Sequence, residues 1–506
     1  MRSKKFIFIN PPYERLKELS LQSPPVGILY LATVLTENGY EAKVYDAESS
    51  FKNSHLEHTE FNRAKYHESY IKNLDNDAHP AWRSLRDVLQ EHKPDFVGIT
   101  FLTPAVSSGR KVARIAKEIL PGAVILGGGP HLTILKEKAM RLCPEIDFGF
   151  VGEAEESILE FAKFYRNDEN WRNIRGMIYR TGTSIVSNAP RGRIEILDNL
   201  PIPQRSLLIN QSQYSRFCLG SVMASRGCHF SCSFCASRPL WGNKVTIRSA
   251  RNVLEEIGYL VKQYKILFFR FQDDTFTGDK ARAIEFCKLM HKKYGLRKPK
   301  WRCLTNVNCM DEELLYWLRK GGCRVIDLGV ESGSDKILKR IRKNITTKQI
   351  KKASEMIKRK GLWLHALFMV GIPGETEEDV RKTINFIKEI RPDSVGLCTF
   401  APHPGTELFD YLVAKGMIAD PDDVTIYDHI GHHSTSYNFT ENIQDERYKK
   451  LRDELLELGT KVSTQLTFRK VRLAAQFLPW SEAAKRLKYL LKRFVIYIFL
   501  MYINIR

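Results

Sequence analysis

Three cysteines stand at CxxxCxxC spacing in Ser225-Arg226-Gly227-Cys228-His229-Phe230-Ser231-Cys232-Ser233-Phe234-Cys235, just after the apolar run Ser221 to Ala224. Thiolates so close on one loop can hold three corners of a [4Fe-4S] cubane, which leaves the fourth iron free for a ligand that is not protein. That vacancy points to chemistry, because a cluster that only carries electrons is normally closed by a fourth cysteine. The competing assignment is a structural zinc site completed by His229 or a distant cysteine. Zinc ligands usually come as two separated pairs, and the chain holds no second CxxC.

The elements around this loop repeat. From Ser221 to about Leu412 a βα alternation recurs six times, with strands expected at Ser221 to Ser225, Ile266 to Phe271, Trp301 to Thr305, Val325 to Val330, Trp363 to Val370 and Ser394 to Phe400. Helical stretches follow near Asn252 to Lys262, Lys280 to Tyr294, Asp311 to Lys320, Thr347 to Lys360, Glu377 to Ile390 and Glu407 to Leu412. Six such units predict a partial (β/α)6 barrel, in which chemistry sits at the carboxyl ends of the strands. Those ends carry the cysteine loop, Gln272-Asp273-Asp274-Thr275-Phe276, Asn306, Glu331-Ser332-Gly333, Gly371-Ile372-Pro373-Gly374-Glu375-Thr376 and Ala401-Pro402-His403-Pro404-Gly405-Thr406. Each alone reads as a turn or helix cap. Together they line a site with carboxylates, hydroxyls and open backbone. Cys303, Cys309 and Cys323 form no compact motif, and His403 and Tyr411 read as core or surface residues.

Residues 1 to about 175 alternate strand and helix as a doubly wound parallel sheet does. Strands are expected at Phe6 to Ile9, Ala42 to Tyr45, Phe96 to Phe101, Ala123 to Leu126 and Phe148 to Val151, and the polar stretch Ser49 to Ala78 as a loop excursion. Ligands of open α/β sheets bind at the carboxyl edge. There stand Asn10-Pro11-Pro12-Tyr13, Asp46, Thr100 to Thr103, Gly127-Gly128-Gly129-Pro130-His131 and Gly152-Glu153. Glycines let backbone approach a bulky ligand, although the same run also suits tight turns. His131 reads as a turn or capping residue. Residues 176–215, with Leu197-Asp198-Asn199-Leu200-Pro201-Ile202-Pro203, read as a linker.

Asn10-Pro11-Pro12-Tyr13, Pro24-Pro25-Val26-Gly27-Ile28-Leu29-Tyr30-Leu31-Ala32, Asp95-Phe96-Val97-Gly98-Ile99-Thr100 and Gly127 to His131 resemble the cobalamin-binding domain found in front of many radical S-adenosylmethionine enzymes. The middle of the chain resembles that superfamily along its length. The resemblance implies cobalamin at Thr100, Thr103, Gly127, Gly128, Gly129 and Pro130, and a [4Fe-4S] cluster on Cys228, Cys232 and Cys235. It implies S-adenosylmethionine at Phe234 beside adenine, Asp273 and Asp274 on the methionine ammonium, Glu331 and Ser332 on ribose, and Gly371, Ile372 and Pro373 along adenine. The Asp-x-His-x-x-Gly pattern that gives other cobalamin proteins a histidine ligand to cobalt is absent after the first strand. The implied activity is methylation of an unactivated carbon in a small or lipid-like substrate, through a 5′-deoxyadenosyl radical and methylcobalamin. A cobalamin-associated cyclase or rearrangement enzyme, and an iron–sulfur or cobalamin sensor without turnover, are the alternatives. An electron donor such as flavodoxin or ferredoxin is the implied protein partner.

Size and charge frame these readings. The 506 residues allow about three domains, with ordinary globular proportions of 43% apolar and 27% charged residues. The seven remaining cysteines are scattered, as in a reduced compartment. Residues 461–506 hold ten Lys or Arg against the single Glu482, a large part of the net +21. No basic stripe with interleaved aromatics marks the body of the chain, so a nucleic-acid partner is not expected. The apolar run Phe6 to Ile9 is too short for a signal-peptide core, which predicts a cytoplasmic protein. At the other end, basic residues 485–493 precede the apolar run Phe494 to Ile503. That run is shorter than the ~20 residues of a membrane span and fits a helix on an anionic membrane surface. Packing on its own barrel or on a second copy is the other reading of 480–506. Asp428-His429-Ile430-Gly431-His432-His433 reads as a substrate-side loop, and Asn442 to Ser463 as a charged amphipathic helix. The expected organisation is a cobalamin-binding domain over 1–175, the linker, a radical S-adenosylmethionine partial barrel over 216–415 and a helical region over 416–506.

Overall fold

The computed structural model describes residues 4–19, 23–49, 67–165, 169–216, 218–421, 423, 425–429 and 437–474. Strands β1 (Lys5–Asn10), β2 (Glu41–Asp46), β3 (Phe96–Thr100), β4 (Val124–Gly128), β5 (Phe148–Phe150), β6 (Met177–Thr181) and β7 (Ser184–Ser187) form one sheet in the order β2-β1-β3-β4-β5-β6-β7. The first five are parallel. Phe6, Ile7, Phe8 and Ile9 are all buried, because helices cover both faces and leave no polar alternation along the strand. The helices Val26–Glu37 and Glu155–Phe164 pack on one another, and so do Pro80–His92 and Val106–Ile119. Strand order reverses at β1, so the crevice at its carboxyl end, between the connections leaving β1 and β3, is where this topology takes a ligand.

Two stretches differ from the expectation. The excursion Ser49 to Ala78 contains the helix His67–Asp75, anchored by the buried Tyr70. The linker stretch contributes the antiparallel hairpin β6–β7, because Met177, Ile178 and Tyr179 find a core beside β5. Past the hairpin the linker is held by buried polar groups. Tyr214 Oη donates to Asp46 Oδ2, and Asn210 Nδ2 donates to the Asp46 carbonyl at 2.8 Å. Arg205, fully buried, ion-pairs with Glu256 at 2.9 Å, and Arg248 meets the other oxygen of Glu256 at 2.5 Å. A buried charge persists only when paired, so this triad ties the linker to the second sheet.

That second sheet holds β8 (Ser221–Val222), β11 (Phe268–Phe271), β12 (Lys300–Thr305), β13 (Cys323–Glu331), β14 (Trp363–Val370) and β15 (Ser394–Thr399), all parallel, in the order β15-β14-β13-β12-β11-β8. The first expected strand is broken after Val222. It continues as β9 (Ser225–Arg226), which pairs antiparallel with β10 (Thr246–Ile247). Among the described residues nothing pairs β15 with β8, so the barrel is open, as a partial barrel must be. Side-chain caps from Ser249, Asp279, Asp311, Thr346, Thr376 and Thr406 start the following helices and keep their turns tight.

The helix Asp445–Thr464 covers the free edge of β15, whose Val395 N–H donates to Ser463 Oγ at 3.0 Å. An uncovered edge strand would invite pairing with another chain. Of the histidine-rich stretch, Asp428 and His429 end the short helix Thr425–His429. Asp428 docks on the first domain by accepting from Tyr70 Oη at 3.0 Å and Ser107 Oγ at 2.5 Å. Ile430 to His433 and the tail 480–506 lie outside the described residues. No helix among the described residues is long and apolar enough to cross a membrane.

Gly333 fixes how closely the end of β13 meets the helix Glu377–Ile390: a Cβ there would lie 2.7 Å from Thr383 Cα and 2.8 Å from the Lys382 carbonyl oxygen. These are backbone atoms and cannot rotate away. Gly333→Ala is expected to destabilise the chain by about 1–3 kcal/mol, the usual cost of overpacking, read as a fall in the urea midpoint at unchanged m-value.

Candidate active site between the two sheets

The cysteine loop is held at its root from three sides. Asp273, at the end of β11, accepts from Ala224 N–H at 2.8 Å and Ser225 Oγ at 2.5 Å. Arg282 stands 4.0 Å from the same carboxylate. Gly227 has φ 97°, and a Cβ there would meet the Lys244 carbonyl oxygen at 2.7 Å, so only glycine makes this turn. Within the loop Ser233 N–H donates to the Ile341 carbonyl at 3.0 Å, and Leu408 N–H donates to the Ser233 carbonyl at 3.2 Å. The segments that follow β13 and β15, at the end of the helix Asp335–Arg340 and the start of the helix Glu407–Ala414, therefore clamp the middle of the motif.

The three thiols are half-buried neighbours that feel one another's charge. Burial pushes the Cys235 thiol up to about 12 and raises that of Cys232. Cys228 Sγ lies 3.4 Å from Thr275 Oγ1, and Cys235 Sγ accepts from Ser237 N–H at 3.5 Å. Among the described residues no three His, Cys, Asp or Glu side chains close on a single ion. Beside the thiols lies a cation, Lys343, buried and paired with Glu331 Oε1 at 2.7 Å. Burial works against its charge, but Glu331 and the thiols Cys232 and Cys235 raise its pKa overall. A cluster carried on three thiolates is anionic, so a fixed ammonium is the complement it needs.

The expected S-adenosylmethionine residues separate into two groups. Asp274 is half-buried near Cys235, with one oxygen accepting from Ser237 Oγ at 2.6 Å. Glu331 sits beside the cysteine loop with φ 69°, a left-handed conformation costly for a residue with a Cβ and typical of strained functional positions. Phe234 is half-buried against the core. By contrast, both oxygens of Asp273 are engaged in holding the loop root. Ser332 is fully buried, with Oγ 3.2 Å from Thr383 Oγ1, so neither has a group directed to a ligand. Gly371 and Ile372 donate their N–H groups to Glu375 Oε2 at 2.8 and 3.3 Å. Burial pushes the Glu375 carboxyl up to about 8. Together with the buried Pro373 they form a rigid backbone ledge, and a Cβ on Gly371 would meet Tyr448 Oη at 2.5 Å.

At the carboxyl edge of the first sheet lies a cavity of about 240 Å³, mostly apolar. Thr100 and Gly127 to Pro130 line it on one side; Met223, Arg226, Leu240 and Trp241 of the second domain close the other. Gly27 and Gly152 border it with no atom within 4 Å of a built Cβ, and at Gly128 the nearest is 3.9 Å away. Side chains there would occupy the cavity itself. Gly129, at φ 92°, brings β4 against β3: its Cβ would meet Thr100 Oγ1 at 2.7 Å. Thr103 is not among the lining residues; its hydroxyl lies 3.2 Å from the Nδ1 of the buried His131, on the connection after β3. His131 is thus a core partner, with burial lowering its pKa to about 4.

The two domains meet on an ion cluster that sequence reading missed. Arg226, 4% exposed, reaches Glu153 Oε1 and Glu155 Oε1 at 2.5 Å each. Arg193 adds bonds to Thr246 Oγ1 at 2.8 Å and the Arg226 carbonyl at 3.1 Å, and stands 3.4 Å from Glu153. Burial opposes the Arg226 charge, but the two carboxylates hold the guanidinium above its ordinary range.

The chain matches the radical SAM superfamily over residues 222–387 and the B12 binding domain over residues 16–162. It is 32% identical, over 83% of its length and 85% of the relative's, to an uncharacterized methyltransferase of Pyrococcus horikoshii. The chain belongs to the radical SAM superfamily. Within this superfamily it is 28% identical to the anaerobic magnesium-protoporphyrin IX monomethyl ester cyclase of Cereibacter sphaeroides, over 96% of this chain and 74% of the cyclase. It shares its fold with the radical S-adenosylmethionine methyltransferase TsrM from Kitasatospora setae, at a TM-score of 0.66 and 18% identity, over 82% of this chain and 75% of TsrM.

This radical SAM enzyme therefore uses a [4Fe-4S] cluster, S-adenosylmethionine and cobalamin, and its own residues fit them: three clustered thiols beside a buried ammonium, and an apolar cavity floored by glycine. Lys343, Arg226, Met223, Leu240 and Trp241 carried no motif. A basic residue next to the cysteine motif was the one available signal. Gly128→Leu, which fills the cavity, is expected to lower corrin absorbance of the purified protein at least tenfold while iron–sulfur absorbance stays. Undiminished corrin binding would remove this cavity from the cobalamin site.

Proposed function

We propose that this enzyme transfers a methyl group from S-adenosylmethionine, by way of cobalamin, to an unactivated carbon of a small or lipid-like substrate. The observation that carries the reading is the shared wall. Met223, Arg226, Leu240 and Trp241 flank the cysteine motif and also close the glycine-floored cavity, so the two cofactor sites abut. When bound, the cluster supplies the electron that activates S-adenosylmethionine, and cobalamin carries the methyl group.

In this reading Cys228, Cys232 and Cys235 hold the cluster, and Lys343 offsets its charge. Asp274 has a carboxylate oxygen free for the methionine ammonium, and Glu331 stands where ribose hydroxyls would be accepted. Phe234 and the ledge Gly371 to Pro373 give apolar surface for adenine. Asp273 and Ser332 act one layer back, the first on the loop root and the second on the end of β13. Thr100 and Gly127 to Pro130 receive cobalamin, while Thr103 braces that loop through His131. Apolar walls and closed backbone exclude water, which a radical intermediate requires.

Similarity to the cyclase over 96% of the chain supports a second reading, ring closure without net methyl transfer. S-adenosylmethionine labelled in its methyl group separates the two without a known substrate. Methyl transfer predicts label recovered in the corrin fraction and formation of unlabelled S-adenosylhomocysteine; a cyclase leaves the corrin unlabelled and forms no S-adenosylhomocysteine, while 5′-deoxyadenosine still forms. A chain that forms neither product under strong reductant is a sensor. Lys343→Gln removes a cation from beside the cluster, which favours the less negative oxidised state. The cluster potential, followed by electron paramagnetic resonance, is expected to move to more negative values.

A further inference from the structure

At the amino ends of the second sheet, the edge away from the cysteine loop, two helix-to-strand turns meet. Gly295 to Lys300 leads into β12, and Arg319 to Arg324 leads into β13. They carry Arg297, Lys298, Lys300, Arg319, Lys320 and Arg324 and no carboxylate. The turns touch: a Cβ built on Gly322 would lie 3.1 Å from Lys298 Cδ and 2.9 Å from the Pro299 carbonyl oxygen. Trp301 pairs with Cys323 and Arg302 with Val325, so Arg324 is the extra residue of a β-bulge. A bulge re-aims the side chain it carries.

These cations are not a solvated face. Lys298 is 7% exposed and Arg324 9%, and Lys300 is half-buried. Lys298 and Lys300 feel the charges of Arg319 and Arg324 and, among the described residues, of no carboxylate. Burial pushes Lys300 down to about 8 and Arg324 down to about 10, and the neighbouring cations push the same way. Helix carboxyl ends offset part of this charge. Lys298 Nζ donates to the Gly295 carbonyl, and Arg324 Nη1 donates to the Arg319 and Cys323 carbonyls at 3.2 and 2.7 Å. Among the described residues, however, Lys300 Nζ has no ion pair, and the buried Arg324 Nε has no hydrogen-bond partner. The helix Phe468–Ala474 adds a further cation, Arg472, to the charge at Arg319. Cations withdrawn from water are stable when an anion joins them, and the described chain brings none here.

We propose that Lys298, Lys300 and Arg324 form a binding site for a phosphate group, at the opposite end of the barrel from the cysteine loop. Ammonium and guanidinium groups are donors only, and an oxyanion that is an acceptor on every side complements them. The site takes no part in the radical chemistry, so it stands whichever reaction the enzyme performs. Leu296, 93% exposed on the same turn, makes a phospholipid headgroup one source of the phosphate; a free phosphorylated ligand is the other.

The test uses the cofactor-loaded enzyme in sodium chloride and in sodium phosphate of equal ionic strength. Equilibrium dialysis with radiolabelled inorganic phosphate is expected to show saturable binding that K300Q weakens at least tenfold. The thermal midpoint separates a ligand site from a structural one. Phosphate is expected to raise it by at least ~2 °C in the unsubstituted enzyme and to leave K300Q unmoved. In chloride, K300Q is expected to melt no lower than the unsubstituted enzyme, because it relieves repulsion, and K300E, which brings its own carboxylate, to melt higher. Vesicles of equal parts phosphatidylcholine and phosphatidylglycerol identify the source. Co-sedimentation that K300Q loses assigns the phosphate to a headgroup, and phosphate binding without co-sedimentation assigns it to a free ligand. Equal rises in both proteins, as general salting gives, or a K300Q or K300E that melts lower in chloride, overturn the proposal. So does the absence of both saturable phosphate binding and Lys300-dependent co-sedimentation.

Discussion

Arg226 is buried between Glu153 and Glu155 of the other domain, two residues before Cys228. A guanidinium removed from water persists only with partners of opposite charge, and loss of one partner from such a group costs about 3–5 kcal/mol. The contact therefore sets where the cysteine loop begins relative to the first sheet. Glu153 and Glu155 follow β5 and border the cavity, and Arg226 is part of its opposite wall. The distance between the glycine-floored cavity and the three thiols is a consequence of this pairing. Arg193 and the ring of Tyr30, 5.4 Å from the Arg226 guanidinium, complete a polar and aromatic collar around it.

Both sheets present their carboxyl edges to this junction. Parallel strands joined by helices bring every βα turn to one edge, so short motifs far apart in the chain arrive together. The openness of the second sheet has a structural cost, a free edge at β15, which the helix Asp445–Thr464 covers. That helix also reaches the site, since Tyr448 lies against Gly371. Edge protection and the backbone ledge of Gly371 to Pro373 thus depend on one element.

Charge at the site is layered. Lys343 faces the thiols from within, and the residue before it, Arg342, faces solvent and pairs with Glu407. Arg342 and Asn344, on either side of Lys343, both have left-handed backbones, with φ 50° and 54°.

The amino-acid sequence by itself determined the alternation of strands and helices, the open α/β architecture, the cysteine motif and the glycine run, because each depends on neighbours within a few residues. Hydrophobic periodicity, caps and turn glycines are local. The tertiary structure alone decided which of two adjacent carboxylates faces the site: in the turn after β11 Asp273 turns to the loop root and Asp274 toward Cys235, and only the packing of the cysteine loop on that turn says what each carboxylate meets. It also decided that Thr103 serves His131 rather than the cavity, that β6 and β7 belong to the first sheet, and that Arg226 meets Glu153 across 73 residues. A contact between distant residues leaves no period or spacing in the chain, and the energy that selects it, a buried charge seeking its partner, exists only once the two domains have closed on each other.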